Sequence, residues 1–215
     1  MNKIKLIAII GKSASGKDHL VEMAIRDFPK LHRVIHYTTR PFREGERLDI
    51  DYIFTDEKTI KHLEKENKLL TSKVFNNWYY ALGKDCFDEE KINIGVFNIA
   101  ELNILIHTYK DKFDLHVIMA HAPDTVRFER SLDRLEPFDG KGMAEIARRE
   151  ESDKYDFDKK FLNDIPYKVL WTYGGKHNLE FNKYFKDSKE GAQIVTEIYN
   201  HGYMANLVES LGYSD

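Results

Sequence analysis

The first residues set the pattern of the chain: residues 4–10 are apolar apart from Lys5, a run suited to a central strand covered on both faces. Helical spacing of apolar positions follows over 17–28, and a second strand-like run over 34–37. Further strand-like runs occupy 92–98, 115–120 and 167–171, with helical periodicity over 101–109 and 123–135. This alternation predicts an open α/β sheet with parallel strands. Between the second and third runs, 51–54, 69–74 and 78–82 read as short strands around a helix near 56–66, so a small inserted lobe is expected. Residues 136–142 mix Pro, Asp, Gly and Lys between two arginine-bearing helices and read as a movable cover. The C-terminal stretch looks helical and polar, with no chemical role assigned, and no repeat or low-complexity linker interrupts the chain.

A length of 215 residues suffices for one compact domain with a large core and small insertions. We expect a single domain, 1–215, with a core of 1–37, 84–135 and 156–215, a lobe at 38–83 and a lid at 136–155. The net charge of −3, from 33 basic and 36 acidic residues, comes without a basic tract, so no nucleic-acid partner is expected. Cys86 is the only cysteine, which excludes an internal disulfide and a cysteine-based zinc cluster and fits a reducing compartment. The N-terminal apolar run is too short to span a bilayer and poor as a signal peptide; a cytoplasmic location without membrane association is expected.

The first strand runs directly into Gly11-Lys12-Ser13-Ala14-Ser15-Gly16-Lys17-Asp18, a phosphate loop (P-loop) in strand-loop-helix context. Backbone N–H groups of Ser13 to Lys17 can converge on phosphate oxygens, Lys17 can reach the β and γ phosphates, and the following helix adds its N-terminal dipole. Gly11 and Gly16 allow the close approach that a side chain would block. The glycine spacing does not fit a dinucleotide fingerprint. After the lysine, where Ser or Thr normally ligates Mg²⁺, stands Asp18; its carboxylate suits Mg²⁺ directly or through water, or serves as a first-turn acid on the helix dipole. ATP and Mg²⁺ are the expected cofactors, with Gly11, Ser13, Ala14, Ser15, Gly16, Lys17 and Asp18 holding the nucleotide and Asp18 the metal.

The phosphate loop, then Thr38-Thr39-Arg40-Pro41-Phe42-Arg43-Glu44-Gly45-Glu46, then Asp51-Tyr52-Ile53-Phe54, and later Tyr79-Tyr80 resemble the guanylate kinase family in order and spacing, over roughly residues 4–155. The resemblance implies a P-loop NTPase three-layer fold with a parallel central sheet, an inserted monophosphate-binding lobe and a helical lid. It further implies that Arg40, Arg43, Tyr52 and Tyr80 grip a monophosphate, whose charge suits two guanidinium forks and two phenolic donors. Arg134 and Arg149 match the family's lid arginines, with Arg148 or Lys141 as substitutes because the interval between them is long. Lys17, Arg40, Arg134 and Arg149 would then neutralise charge on the transferred phosphoryl group without a protein nucleophile.

The base pocket departs from the family. Thr71 stands at a glutamate position, Leu82 and His36 at serines, and Asn98 with Ala100 replaces an Asp-x-Asp pair. Neither Thr71 nor Ala100 can accept from two guanine donors as a carboxylate does, so another base, or relaxed selection, is expected. His36, Thr71 and Asn98 are the candidate base contacts, and Glu101 could restore a carboxylate by a one-residue shift. Loss of an acid at position 98 leaves Asp18 as the substitute acid near the metal. The resemblance favours a kinase for a (deoxy)nucleoside monophosphate, acting as monomer or homodimer on small nucleotides. A silent binding module and a kinase for a phosphorylated non-nucleotide metabolite are the alternatives.

Overall fold

The computed structural model describes residues 3–43, 46–135, 140–162, 165–172 and 189–213. In chain order these form β1 (Ile4–Ile10), α1 (Lys17–Asp27), β2 (His32–Arg33), β3 (Tyr37–Thr38), β4 (Ile53–Phe54), α2 (Glu57–Lys65), β5 (Leu69–Phe75), β6 (Trp78–Gly83), β7 (Asn93–Val96), α3 (Ile99–Thr108), β8 (Phe113–His121), α4 (Asp124–Asp133), α5 (Gly140–Asp156), α6 (Lys159–Leu162), β9 (Tyr167–Trp171) and α7 (Lys189–Ser210).

The central sheet is parallel throughout, ordered β2-β7-β1-β8-β9. β1 lies in the middle, and Leu6 to Ile10 have no exposed surface. Its alternating side chains feed two cores: Leu6, Ala8 and Ile10 pack with Leu102, Leu105 and Phe113 on one face. Ile7 and Ile9 pack with Leu20, Val21, Ala24, Met204 and Val208 on the other. Helices on both faces of a parallel sheet make the three-layer α/β fold of P-loop NTPases, and β1 ends where its carboxyl edge opens into a crevice.

The inserted lobe is a second, four-stranded sheet, ordered β4-β3-β6-β5, with β3 parallel to β4 and the other pairs antiparallel. Its helix α2 starts where Asp56 accepts the Thr59 N–H at 2.7 Å, and buries Ile60 against Leu69 and Ala81.

Three expectations are corrected in detail. The single strand expected over 34–37 is two: β2 ends at Arg33, and Tyr37 pairs with Ala81 and Ile53 in the lobe sheet. The apolar run is the crossing from one sheet to the other, and hydrophobicity alone does not distinguish the two destinations. Helix α3 begins at Ile99, two residues before the expected start, because Asn98 and Glu101 form a reciprocal capping box. Residues 140–142 of the expected cover are the first turn of α5, while 136–139 lie outside the described residues. No helix among the described residues is long and apolar enough to cross a membrane.

Candidate active site

The phosphate loop takes its shape from groups outside it. Gly16 sits at φ +88°, a left-handed conformation, with Thr172 about 3.0 Å from where a Cβ would stand. At Gly11 a Cβ would lie 2.7 Å from the Ala120 carbonyl oxygen. On the outer side, Arg127 Nη1 donates to Ser13 O at 2.9 Å, Arg130 Nη1 to Ala14 O at 3.2 Å, and Thr172 Oγ1 to Ser15 O. In a trans peptide the N–H points opposite to the carbonyl. Holding these three oxygens outward therefore turns the N–H groups of Ala14, Ser15 and Gly16 to the other side of the loop. Ser15 N–H closes a turn onto Lys12 O at 3.1 Å. Ser13 N–H donates to Asp153 Oδ2 at 2.8 Å, so that donor is already engaged by a carboxylate from α5.

Arg127 anchors this arrangement and was not anticipated from sequence. It is 1% exposed and reaches Asp124 at 2.9 Å, Glu150 at 2.9 Å and Asp153 at 3.3 Å. Burial raises the pKa of Asp153, against the lowering effect of its Ser13 contacts. The network couples the loop, α4 and α5, and only an alternation of acids on α5 with one arginine on α4 hints at it in the sequence.

A cavity of about 430 Å³ lies against the loop, lined among others by Ser13, Ala14, Lys17 and the exposed carboxylate of Asp18. Across it stand Arg40, Arg43, Tyr52 and Tyr80 from the lobe, and Arg134 and Arg149 from the lid side. Arg40 is buried and its guanidinium meets Glu46 fork to fork, Nη1–Oε2 at 2.9 Å and Nη2–Oε1 at 2.6 Å. It also lies 5.2 Å from the Tyr52 ring centre and 5.6 Å from that of Phe54. Glu46 accepts the Arg43 N–H at 2.8 Å too, leaving the exposed Arg43 side chain without an ion pair among the described residues. Tyr52 and Tyr80 meet edge to face at 6.1 Å. Burial, then Tyr80, pushes the Tyr52 phenol up to about 12, so it is a protonated donor at neutral pH.

The lid-side arginines are held by Glu145. Arg148 binds it at 2.7 and 2.8 Å and Arg149 at 2.8 Å, and hydrogen bonding from Arg148 is the largest cause lowering the Glu145 pKa to about 2. Arg148 also stacks over Phe75 of the lobe at 5.1 Å. Arg134, at the C-terminus of α4, is exposed. The Lys141 side chain lies outside the described residues.

A second cavity, about 560 Å³, adjoins the first and shares Ser13, Lys17, His36, Arg40, Arg43, Tyr52, Tyr80, Val96 and Arg149 with it. Its own walls include Gly11, Lys73, Asn98, Glu101 and Arg148. Asn98 Oδ1 is committed to the α3 cap, accepting Glu101 N–H at 2.9 Å, which leaves its amide donors for other partners. His36 is kept neutral by burial, the largest effect on it, and its Nε2 has no hydrogen-bond partner. Thr71 lines neither cavity; it is buried with its Oγ1 unpaired, and Leu82 is buried in the core. Ser15 and Gly16 likewise shape the loop without lining the cavities, and Ser15 is buried with its Oγ unpaired. Glu101, named from the sequence as a carboxylate one residue from the altered pair, lines the second cavity, whereas Lys73, Glu145 and Asp153 join it through long-range contacts that the linear order does not display. No group of three or more His, Cys, Asp or Glu suited to a metal occurs among the described residues.

No family model matches the chain. A guanylate kinase of Bdellovibrio bacteriovorus is 29% identical to it over 194 residues, covering 86% of this chain and 98% of that protein. A guanylate kinase of Legionella pneumophila is 26% identical over 171 residues, 76% of this chain and 80% of that protein. The crystal structure of guanylate kinase from Anaplasma phagocytophilum aligns with 77% of this chain and 97% of that chain, at 15% identity and a TM-score of 0.44. With a phosphate loop at the end of its central strand and an inserted four-stranded lobe, the chain is similar to guanylate kinases along most of its length.

Proposed function

We propose that the protein is an ATP-dependent nucleoside monophosphate kinase that moves the γ-phosphoryl group of ATP to a (deoxy)nucleoside monophosphate. One observation supports this reading most: loop, lobe and lid-side groups that suit phosphate all face one cavity, Lys17 and Asp18 from the loop, Arg43, Tyr52 and Tyr80 from the lobe, and Arg134 and Arg149. Three arginines and two phenols opposite a phosphate loop fit two phosphorylated molecules brought end to end.

In this reading the loop from Gly11 to Lys17 holds the triphosphate and Asp18 faces the metal. Mg²⁺, when bound with ATP, supplies positive charge that offsets the phosphate oxygens. Arg43 and the neutral phenols of Tyr52 and Tyr80 orient the acceptor, with Arg40 fixed beside them by Glu46. An acceptor phosphate oxygen then bonds to the γ-phosphorus as the bond to the leaving ADP oxygen breaks, while Lys17, Arg134 and Arg149 offset the spreading negative charge. The lobe at 38–83 and the lid at 136–155 would close over the reacting groups and exclude water. Because Thr71 stands away from the cavities, the acceptor's base is read by a set different from the family's, and selection among bases is altered.

Coupled ADP release with ATP and Mg²⁺, across all ribo- and deoxyribonucleoside monophosphates, tests the reading. Monophosphate-dependent release supports it; binding of ATP with no transfer to any of them contradicts it.

A further inference from the structure

Three residues spaced four apart on α5, Glu145, Arg149 and Asp153, share one face of that helix and line the second cavity together with Ser13 and Lys17 of the loop. Glu145 Oε1 accepts the Arg149 Nε–H at 2.8 Å, and the terminal Nη groups of Arg149 have no partner among the described residues. One turn further on, Asp153 hydrogen-bonds the loop directly: its Oδ2 accepts the Ser13 N–H at 2.8 Å and an Arg127 Nη1–H at 3.3 Å. The same Arg127 Nη1 donates to Ser13 O at 2.9 Å, so both peptide groups of Ser13 close into one ring with a buried aspartate and a buried arginine.

Charge pairing does not account for Asp153. Arg127 already meets Asp124 and Glu150, so a third acid on one cation adds the cost of burying another charge without being needed for balance. What Asp153 adds is the Ser13 contact, which registers α5 against the loop. At a helical rise of about 1.5 Å per residue, the Arg149 Cα stands about 6 Å along the axis from that contact, within the same rigid helix. A guanidinium offsets charge on a transferring group only where its donors already point, and a misplacement of about 1 Å can cost about 100-fold in rate. We propose that Asp153 is a positioning residue for phosphoryl transfer: by fixing α5 to the loop at Ser13, it sets where the free Nη groups of Arg149, oriented by Glu145, meet the transferred group. The inference rests on the nucleoside monophosphate kinase reading above and adds to it a residue that touches neither substrate.

A double-mutant cycle tests this, because a residue that acts through Arg149 has nothing left to act through once Arg149 is gone. Single-turnover transfer from ATP with Mg²⁺ to the nucleoside monophosphate that the native protein uses best would be measured for native protein, Asp153→Ala, Arg149→Ala and the double variant, with ATP affinity by calorimetry and thermal melts alongside. Asp153→Ala should slow transfer by about tenfold or more while leaving ATP affinity within about twofold of native, since Arg127 still holds Ser13 O. The double variant should be no slower than Arg149→Ala. Asp153→Asn, whose amide oxygen still accepts the Ser13 N–H, should recover most of the rate. Should Asp153→Ala melt below the assay temperature, Asp153→Leu, which fills the volume of the carboxylate without an acceptor, carries the same expectations. Losses that multiply in the double variant, or weakened ATP binding with an unchanged transfer rate, overturn the inference while leaving a kinase. Transfer to no monophosphate by the native protein overturns the kinase reading and the inference with it.

Discussion

The guanidinium of Arg40 and the carboxylate of Glu46 face each other in two parallel hydrogen bonds of 2.9 and 2.6 Å, at the wall of the cavity opposite the phosphate loop. Arg40 is buried, so this geometry is fixed before any ligand arrives, and the partner of Glu46 across the loop backbone is the Arg43 N–H. One carboxylate thus sets the position of both arginines.

Glu46→Gln leaves a buried arginine with a neutral partner. We expect a stability loss of about 1–3 kcal/mol and a raised KM for the acceptor, with ATP affinity near native. The pH dependence carries a sign. Hydrogen bonding from Arg40, its largest cause, lowers the Glu46 pKa below 4.5, so its stabilisation is complete above that value and is lost as pH falls through the lowered folded value. Melting temperatures of native and Glu46→Gln should differ at neutral pH and converge on acidification below 4.5. A difference independent of pH would count against the ion pair as its source.

Arg43 has no carboxylate partner for its side chain among the described residues, so replacing it frees no buried charge. Arg43→Ala should fold normally and lose one charge-assisted contact to the acceptor phosphate, raising the acceptor KM about 10- to 100-fold. Equal loss of ATP binding, measured by calorimetry, would place Arg43 on the wrong substrate.

Removing Arg127 acts on the loop from behind. Arg127→Met leaves Asp124, Glu150 and Asp153 without their shared cation, and we expect a loss of about 2–4 kcal/mol, discounted because Asp124 is 77% exposed. For a chain of this size that lowers the melting temperature by roughly 4–16 °C. ATP affinity should fall as well, since Ser13 O loses its donor. A stable variant with native ATP affinity would show that the loop holds its shape unaided.

Asp18 tests the metal. Asp18→Ala should raise the Mg²⁺ concentration needed for half-maximal turnover, whereas Asp18→Ser, restoring a hydroxyl ligand, should need less than Asp18→Ala. Identical Mg²⁺ dependence in native protein and both variants would remove Asp18 from the metal's surroundings.

Local patterns made the frame legible in the sequence: the continuous apolar run of β1, the phosphate loop after it, and the helical spacing of α1 each follow from short-range periodicity. The lobe was readable for the same reason, down to Asp56 at the start of α2. The two-residue strands β2 and β3 were not, because so short a strand is defined by its partners, Asn93 and Ile94 in one case and Ala81 and Ile53 in the other. Arg127 and Asp153 were not legible because their meeting depends on how α4 and α5 pack, and the acids of α5 alone do not say which cation they meet. The family resemblance places Thr71 at the base site, whereas the cavity takes Lys73 from the same strand: two apart, they share a face of β5, but the register sets Thr71 opposite the buried Leu82 and Lys73 opposite Tyr80 at the cavity wall.

The most direct measurement is transfer of radiolabelled phosphate from γ-labelled ATP to a nucleoside monophosphate, separating the products and comparing native protein with Arg43→Ala. The account predicts labelled nucleoside diphosphate and ADP formed one for one by the native protein and strongly reduced in the variant. Label released only as inorganic phosphate, or remaining in ATP with every monophosphate supplied, would contradict it.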